Sequence, residues 1–304
     1  MTHAMARLIL ALFLCAPPRL SQAADMSVIT SIKPIHSLVA GVMAGVGEPE
    51  LLMTGVASEH GYALRPSQMR TLEQADLVFW VGPQLETFLI RPLSSLPSGV
   101  DRIALSASPG VELLAQRDAV SLMPLSSTPE ETAWDMHIWL DPDNALAMVR
   151  EIAARLQARD PLNSRAYARN AAAIEVRLAA SNRLIRERLA AMPMPPYIVY
   201  HDAYQYFENR FGLRPTAIIS PDPERQPGAG RVRALRTLVL DAKVACVFTE
   251  PQYEPHLIGT LTEGARVQVS TLDPLGSGFA AGADLYFLLL DQMAGALNHC
   301  ATQK

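Results

Sequence analysis

The chain has 304 residues, of which 18% are charged and 49% hydrophobic, and its formal net charge is -4. Those figures describe an ordinary globular protein with room for two lobes, and they exclude the strongly basic surface of a nucleic-acid-binding protein.

Residues 1–23 read as a secretory signal. Arg7 precedes the apolar run Leu8 to Leu14, which is too short to span a bilayer, and Ser21-Gln22-Ala23 offers a small-x-small cleavage site. Cys15 follows the bulky Leu14, which argues against a lipid-anchored cysteine. After Ala24 there is no long apolar span, so the expectation is an exported protein without stable membrane insertion. The mature chain then keeps Cys246 and Cys300. Two thiols in an oxidising compartment favour one disulfide, worth roughly 4 kcal/mol in the chain-entropy model; two buried free thiols are the alternative.

In chain order, Ser27 to Ile32 is a short β-branched strand, and a helix starts near Pro34. Glu50 to Met53 is a second strand, Pro66 to Ala75 a helix, and Leu77 to Gly82 an apolar run suited to a strand buried on both faces. Asp101 to Leu105 is a weaker fourth strand. Residues 115–133 are polar, carry Ser, Thr and Pro, and read as a long exposed loop. Pro142 opens a helix that ends near Asp160-Pro161. From Ser164 to Met192 there is no Pro or Gly, and Tyr167, Ala171, Ile174, Leu178, Ile185, Leu189 and Met192 fall on one stripe. Such a helix spans on the order of 43 Å, long enough to join two lobes as a stiff rod. Beyond it the α/β rhythm returns. Strands are expected at 197–200, 216–219, 244–248 and 266–269, and helices at 202–211, 231–242, 255–263 and 281–298. The halves share element order but no sequence repeat. The expected architecture is therefore α/β, with an N-terminal lobe over 24–162, a linking helix over 163–192 and a C-terminal lobe over 193–304.

Three histidines stand in comparable settings. His60 follows Glu59 in the loop Ala57 to Ser67, His137 lies in Asp135 to Pro142, and His201 directly follows a strand in Tyr197 to Tyr204. Asp273, in Thr271 to Gly276, follows another strand. Ligands of open α/β sheets bind beyond the carboxyl ends of strands, so Glu59–His60, His201 and Asp273 are candidates for one cleft between the lobes. Neutral imidazoles suit zinc, copper, iron and nickel, and three of them with a carboxylate from Glu59 or Asp273 would complete a zinc tetrahedron. Each residue also has a plainer reading. His137 and His201 could be hydrogen-bonded core histidines, and Asp273 before Pro274 a turn residue. Glu250 could support the site or only the fold. His36 reads as packed at a helix start, His256 and His299 as solvent-facing, and Tyr62 and Arg65 as lining or covering the cleft.

At these segments, together with Ala75 to Pro83, His201 to Phe207, Glu250-Pro251-Gln252 and Thr271 to Gly276, the chain resembles the ZnuA type of periplasmic zinc-binding protein of bacterial ABC importers, over nearly its whole mature length. The resemblance implies two Rossmann-like lobes joined by a long rigid helix, with zinc held in the cleft by His60, His137 and His201. The fourth position would be Glu59, water or, as in some relatives, Asp273. It also implies a Cys246–Cys300 disulfide, a monomer, and delivery of Zn2+ to an ABC permease, while the rigid linking helix predicts small lobe displacements. Manganese-type relatives resemble this pattern but carry a carboxylate at the position of His201, which favours zinc. One departure stands out: residues 115–134 hold no histidine, whereas many zinc-type members have a His-, Asp- and Glu-rich loop there. The competing expectations are a manganese or iron receptor, a zinc hydrolase using Glu59 as base, and a surface adhesin of the same fold.

Overall fold

The protein is described here from a computed structural model, which covers residues 26–118, 133–191, 193–220, 223–241, 243–253 and 256–302. The signal segment, most of the 115–134 stretch, Met192 and Pro255 lie outside the described residues.

The first lobe is built on β1 (Val28–Thr30), α1 (Lys33–Met43), β2 (Glu50–Leu51), α2 (Pro66–Glu73), β3 (Leu77–Trp80), α3 (Thr87–Ser95) and β4 (Asp101–Ala104). Its four strands are all parallel in the order β2-β1-β3-β4, with Ile29 opposite Val78 and Val78 opposite Arg102. In β3 the side chains alternate between two buried clusters. Leu77 and Phe79 face the main core, and Val78 and Trp80 face an outer cluster with Leu72, Leu89 and Leu93. This is why the strand reads as an unbroken apolar run. Helix α3 was not expected. Pro92 sits inside it and masks its pattern, yet Leu89 and Leu93 one turn apart hold it on the sheet.

A two-stranded antiparallel ribbon, β5 (Leu114–Ala115) with β6 (Trp134–Asp135), closes the base of the stretch expected to be loop. Helix α4 (Pro142–Arg159) then starts as expected, with Pro142 in its first turn and Asp141 as N-cap accepting from the Asp143 amide at 2.9 Å. Helix α5 (Ser164–Ala190) is the rod. Its 27 residues extend roughly 40 Å. Tyr167, Ala171, Ile174, Leu178 and Ile185 are buried along one face. Gly41 in α1 permits the close crossing, since a Cβ there would lie 2.9 Å from Ile174 Cδ1.

The second lobe comprises β7 (Tyr197–Val199), α6 (Gln205–Phe211), β8 (Ala217–Ile218), α7 (Ala229–Asp241), β9 (Cys246–Thr249), α8 (His256–Thr262), β10 (Gln268–Thr271) and α9 (Leu285–Thr302). Its strands are again parallel, in the order β10-β9-β7-β8. Counted within each lobe, both sheets run second-first-third-fourth, so the repeat absent from the sequence exists in the topology. Several expected bounds shift, three of them next to the loops that shape the cleft or the C-terminal helix. Helix α6 starts at Gln205 rather than Asp202, because residues 201–204 turn away from β7. Strand β10 lies two residues late. Helix α9 starts at Leu285 rather than Ala281, after Gly282 takes φ 148. A Cys246–Cys300 disulfide ties β9 to α9, with Cα atoms 6.0 Å apart.

Helices α1, α4, α5 and α9 pack together, and one buried cluster runs from Val28 in the first sheet to Phe248 in the second. Buried polar bonds seam the lobes as well. Trp139 Nε1 donates to Pro274 O (2.7 Å), Tyr286 OH to Trp139 O (2.7 Å), and the Tyr286 amide to Ser37 Oγ (2.9 Å). Among the described residues no helix is long and apolar enough to cross a membrane.

Candidate metal centre

The carboxyl ends of both sheets face one cleft, and the loops leaving them carry the polar residues. Glu59 and His60 lie in the loop between β2 and α2. It is pinned by Tyr253 OH donating to Ser58 Oγ (2.9 Å) and by Gln68 Nε2 donating to Tyr62 OH (2.8 Å). His60 N also donates to Ser58 Oγ (3.2 Å). Gly61 faces Glu224 of the opposite lobe: a Cβ there would lie 2.6 Å from Glu224 Oε2, so a larger residue would push that exposed side chain aside. His137 follows β6 and precedes a single 3-10 turn at Ile138–Leu140. His201 follows β7.

These residues converge. The ring centroids of His60, His137 and His201 form a nearly equilateral triangle with sides of 5.5, 5.6 and 5.2 Å. One donor atom from each, with a carboxylate oxygen of Glu59, all lie within 4.8 Å of one another. Three of the six edges are 3.3 Å from His201 Nε2 to His137 Nε2, 3.5 Å from His137 Nε2 to Glu59 Oε1, and 4.0 Å from His60 Nε2 to Glu59 Oε1. Four donors at about 2.0–2.1 Å from a tetrahedral zinc are separated by about 3.3–3.4 Å, so the set is close to that geometry and slightly open on the His60 side. Glu59 Oε1 and His60 Nε2 are buried without a hydrogen-bond partner among the described residues. Burial of such atoms is costly unless a partner takes their lone pairs, and a cation is a partner of the right kind.

The electrostatics say the same. Burial opposes ionisation of Glu59, yet His137 Nε2, 3.5 Å from its Oε1, and the imidazoles around it bring its pKa down to about 2. Burial is the first cause acting on His60 and lowers it to about 4, against the pull of Glu59. Burial also works against charge on His137, but Asp135 and Glu59 outweigh it and raise the group to about 10. The carboxylates around His137 thus favour positive charge at this position.

The rings of His137 and His201 are oriented from behind. Asp135 Oδ1 lies 2.7 Å from His137 Nδ1, and Glu250 Oε1 lies 2.7 Å from His201 Nδ1. Each carboxylate holds the proton on Nδ1 and leaves Nε2 facing the site. Glu250, left open by the sequence, is therefore a ring-orienting residue. Asp135 was overlooked, although its position two residues before His137 was the available signal.

Asp273 stands apart from these four residues. It is not part of the four-atom cluster. Its carboxylate accepts from the amides of Leu275, Gly276 and Ser277, from Ser277 Oγ and from Gln252 Nε2. That saturated oxygen pair builds the turn after β10, where Gly276 takes φ 66. His36 is buried with Nε2 3.1 Å from Pro49 O, and His256 and His299 are exposed, as expected. Tyr62 packs on Phe88 beside the loop rather than in the cluster. A cavity of ≈ 210 Å³, lined in part by the three histidines, Arg117, Trp134 and Asp202, opens on the site.

Residues 28–300 match the family described as ZnuA, zinc-uptake complex component A, periplasmic. The chain is 36% identical to the high-affinity zinc uptake system protein ZnuA of Brucella suis biovar 1, over 91% of this chain and 92% of that one. It is 37% identical to the protein of the same name from Yersinia pestis, over 95% of each. Among solved structures, a crystal structure of ZnuA superposes with a TM-score of 0.78 at 22% identity, covering 90% of this chain and 100% of that one. The periplasmic zinc-binding protein TroA of Treponema pallidum superposes with a TM-score of 0.78 at 20% identity, covering 92% and 100%.

Proposed function

This chain belongs to the ZnuA family of zinc-uptake proteins, and from that membership and the donor set of its cleft we propose that it is a high-affinity zinc receptor, which captures Zn2+ through His60, His137, His201 and Glu59 and hands it to an ABC permease. Its place of action is the periplasm, reached through a signal segment at residues 1–23. Its working units are the lobes 24–162 and 193–304, joined by the linking helix 163–192, and it acts as a monomer.

The observation that carries this reading is the four-donor cluster itself. Zinc sheds its water and exchanges it for three imidazole nitrogens and one carboxylate oxygen. Neutral imidazoles match zinc better than manganese, calcium or magnesium, which take more oxygen. Asp135 and Glu250 prepare two of the rings before the ion arrives, so little ordering remains to be done on binding. The shared core and the buried seams between the lobes support capture with small lobe displacements.

A hydrolase would need a coordination position open to water and a free base beside it. Glu59 occupies the fourth corner in this reading, which leaves neither, so the function is binding and delivery rather than turnover. The test is a metal competition titration on chelator-stripped mature protein, comparing zinc and manganese in the native chain and in His201→Ala. Tight one-to-one zinc binding, weak manganese binding and a large loss in the variant are expected. Manganese binding as tight as zinc and indifferent to His201 would overturn the reading.

A further inference from the structure

We propose that Arg117 is a positioning residue that locks His137 and His201 into one relative placement, and thereby sets the preference of the site for a small tetrahedral cation over larger, oxygen-preferring ones. The inference rests on the zinc reading above and goes beyond it, because Arg117 is not a donor to the ion.

Arg117 lies just past β5, on the arm of the ribbon opposite β6. Its side chain is only 7% exposed. The guanidinium grips Asp202 in a fork, with Nε 3.0 and 2.9 Å from the two carboxylate oxygens and Nη2 on Oδ1. Nη2 also donates to Glu208 Oε2 in α6, whose other oxygen accepts from Tyr197 OH at 3.1 Å. Asp202 is the residue after His201. The ribbon that carries Arg117 continues through Asp135 to His137. One buried guanidinium therefore joins the segment bearing one imidazole to the segment bearing the other, across the lobes.

Two further bonds seat the ribbon on α6. Tyr206 OH donates to Asp135 O (2.7 Å) and accepts from the Leu114 amide (2.9 Å). A planar fork with fixed donors suits this task, whereas lysine would present a single flexible point charge. Arg117 has a second effect. Asp202 and the three histidines line the same cavity, and the fork keeps the Asp202 carboxylate engaged and turned to Arg117. Without the fork, that cavity gains an uncommitted oxygen donor, and the two imidazoles lose their common anchor. Both changes favour a larger ion with more oxygen ligands.

The test compares the native protein with Arg117→Lys, Arg117→Met and the double variant Arg117→Met/Asp202→Asn. The last relieves the buried carboxylate if the single methionine variant folds poorly. Zinc and manganese dissociation constants, the Co2+ visible absorption spectrum and the melting temperature of the metal-free protein are measured for each. The expectation is a fall of about tenfold or more in the zinc-over-manganese ratio for Arg117→Lys, on the scale of other outer-sphere changes, with a weakened tetrahedral Co2+ spectrum. The double variant should regain part of the ratio. A native ratio and a native Co2+ spectrum in the Arg117 variants would overturn the inference, whatever their melting temperatures, and would leave the zinc reading standing. A native protein without zinc preference would overturn both.

Discussion

His137 and His201 enter the site as anchored rings, while His60 enters it from a loop. Each of the first two is buried, with a carboxylate 2.7 Å behind its Nδ1. His60 has a side chain 26% exposed, and its ring makes no hydrogen bond among the described residues. The tetrahedral edges follow this division, at 3.3 Å between the anchored pair and 4.0 Å from His60 to Glu59. The contrast suggests a division of labour. In the proposed zinc site the anchored pair would recognise the ion, and the His60 side would complete the shell and yield when the ion leaves.

The largest effect should come from the anchored pair. Structural zinc sites are worth about 10–16 kcal/mol over four ligands, so one ligand accounts for roughly 3 kcal/mol. His137→Ala and His201→Ala should each weaken zinc by on the order of 10²- to 10³-fold in chelator competition. Near-native binding in either would erase the distinction drawn here.

Next in size is a pH effect. His137 is raised to about 10 and His60 lowered to about 4, so at neutral pH the metal-free site holds a proton on His137 and none on His60. Zinc must displace that proton. Affinity should therefore rise with pH, about tenfold per unit, or about a hundredfold from pH 6 to pH 8, with about one proton released per zinc. This replaces the single loss through about 6.5 that ordinary imidazoles imply. Calorimetry in buffers of differing ionisation enthalpy counts the proton, and a count near zero would show that His137 is neutral before zinc arrives.

The carboxylates behind the rings come third. Glu250→Gln and Asp135→Asn should cost about 10- to 100-fold in zinc affinity, because an amide orients the ring but no longer favours its charge-donating form. A larger loss in Asp135→Asn than in Glu250→Gln would fit the extra bond from the His137 amide to Asp135 Oδ1. Equal and negligible losses would mean that packing alone orients the rings.

Much of this was legible in the sequence, and the reasons are local. The rod at α5 announces itself because nothing breaks its stripe from Tyr167 to Ile185. The strand β3 and the Pro142 helix start are equally plain. His60 and His201 were visible as residues beyond strands and His137 as the exit of a long loop, but their meeting depends on tertiary placement, which spacing does not encode. Asp273 misled because a strand-end aspartate looks the same whether its oxygens face an ion or, as here, five donors of its own turn and of Gln252. Arg117 gave no signal at all: an arginine in a polar stretch reads as solvated until Asp202 and Glu208 are folded around it. Helix α3 was hidden by Pro92, and the matching strand order of the two lobes by the divergence of their side chains.

The smallest effect is expected at His60, and it probes the comparison most finely. In His60→Ala the remaining donors are Glu59, His137 and His201, and water can enter from the cavity to fill the fourth position, as it does in open zinc sites. The loss should be about tenfold, well below that of His201→Ala, and it should fall mainly on the dissociation rate, because the anchored pair still receives the ion. Stopped-flow transfer of zinc to a chromophoric chelator reads this directly. Faster release with near-native capture would support a yielding His60 side. Slower capture with unchanged release would place His60 at the entry step instead, and a loss equal to that of His201→Ala would show that the loop is as firmly set as the rings opposite it.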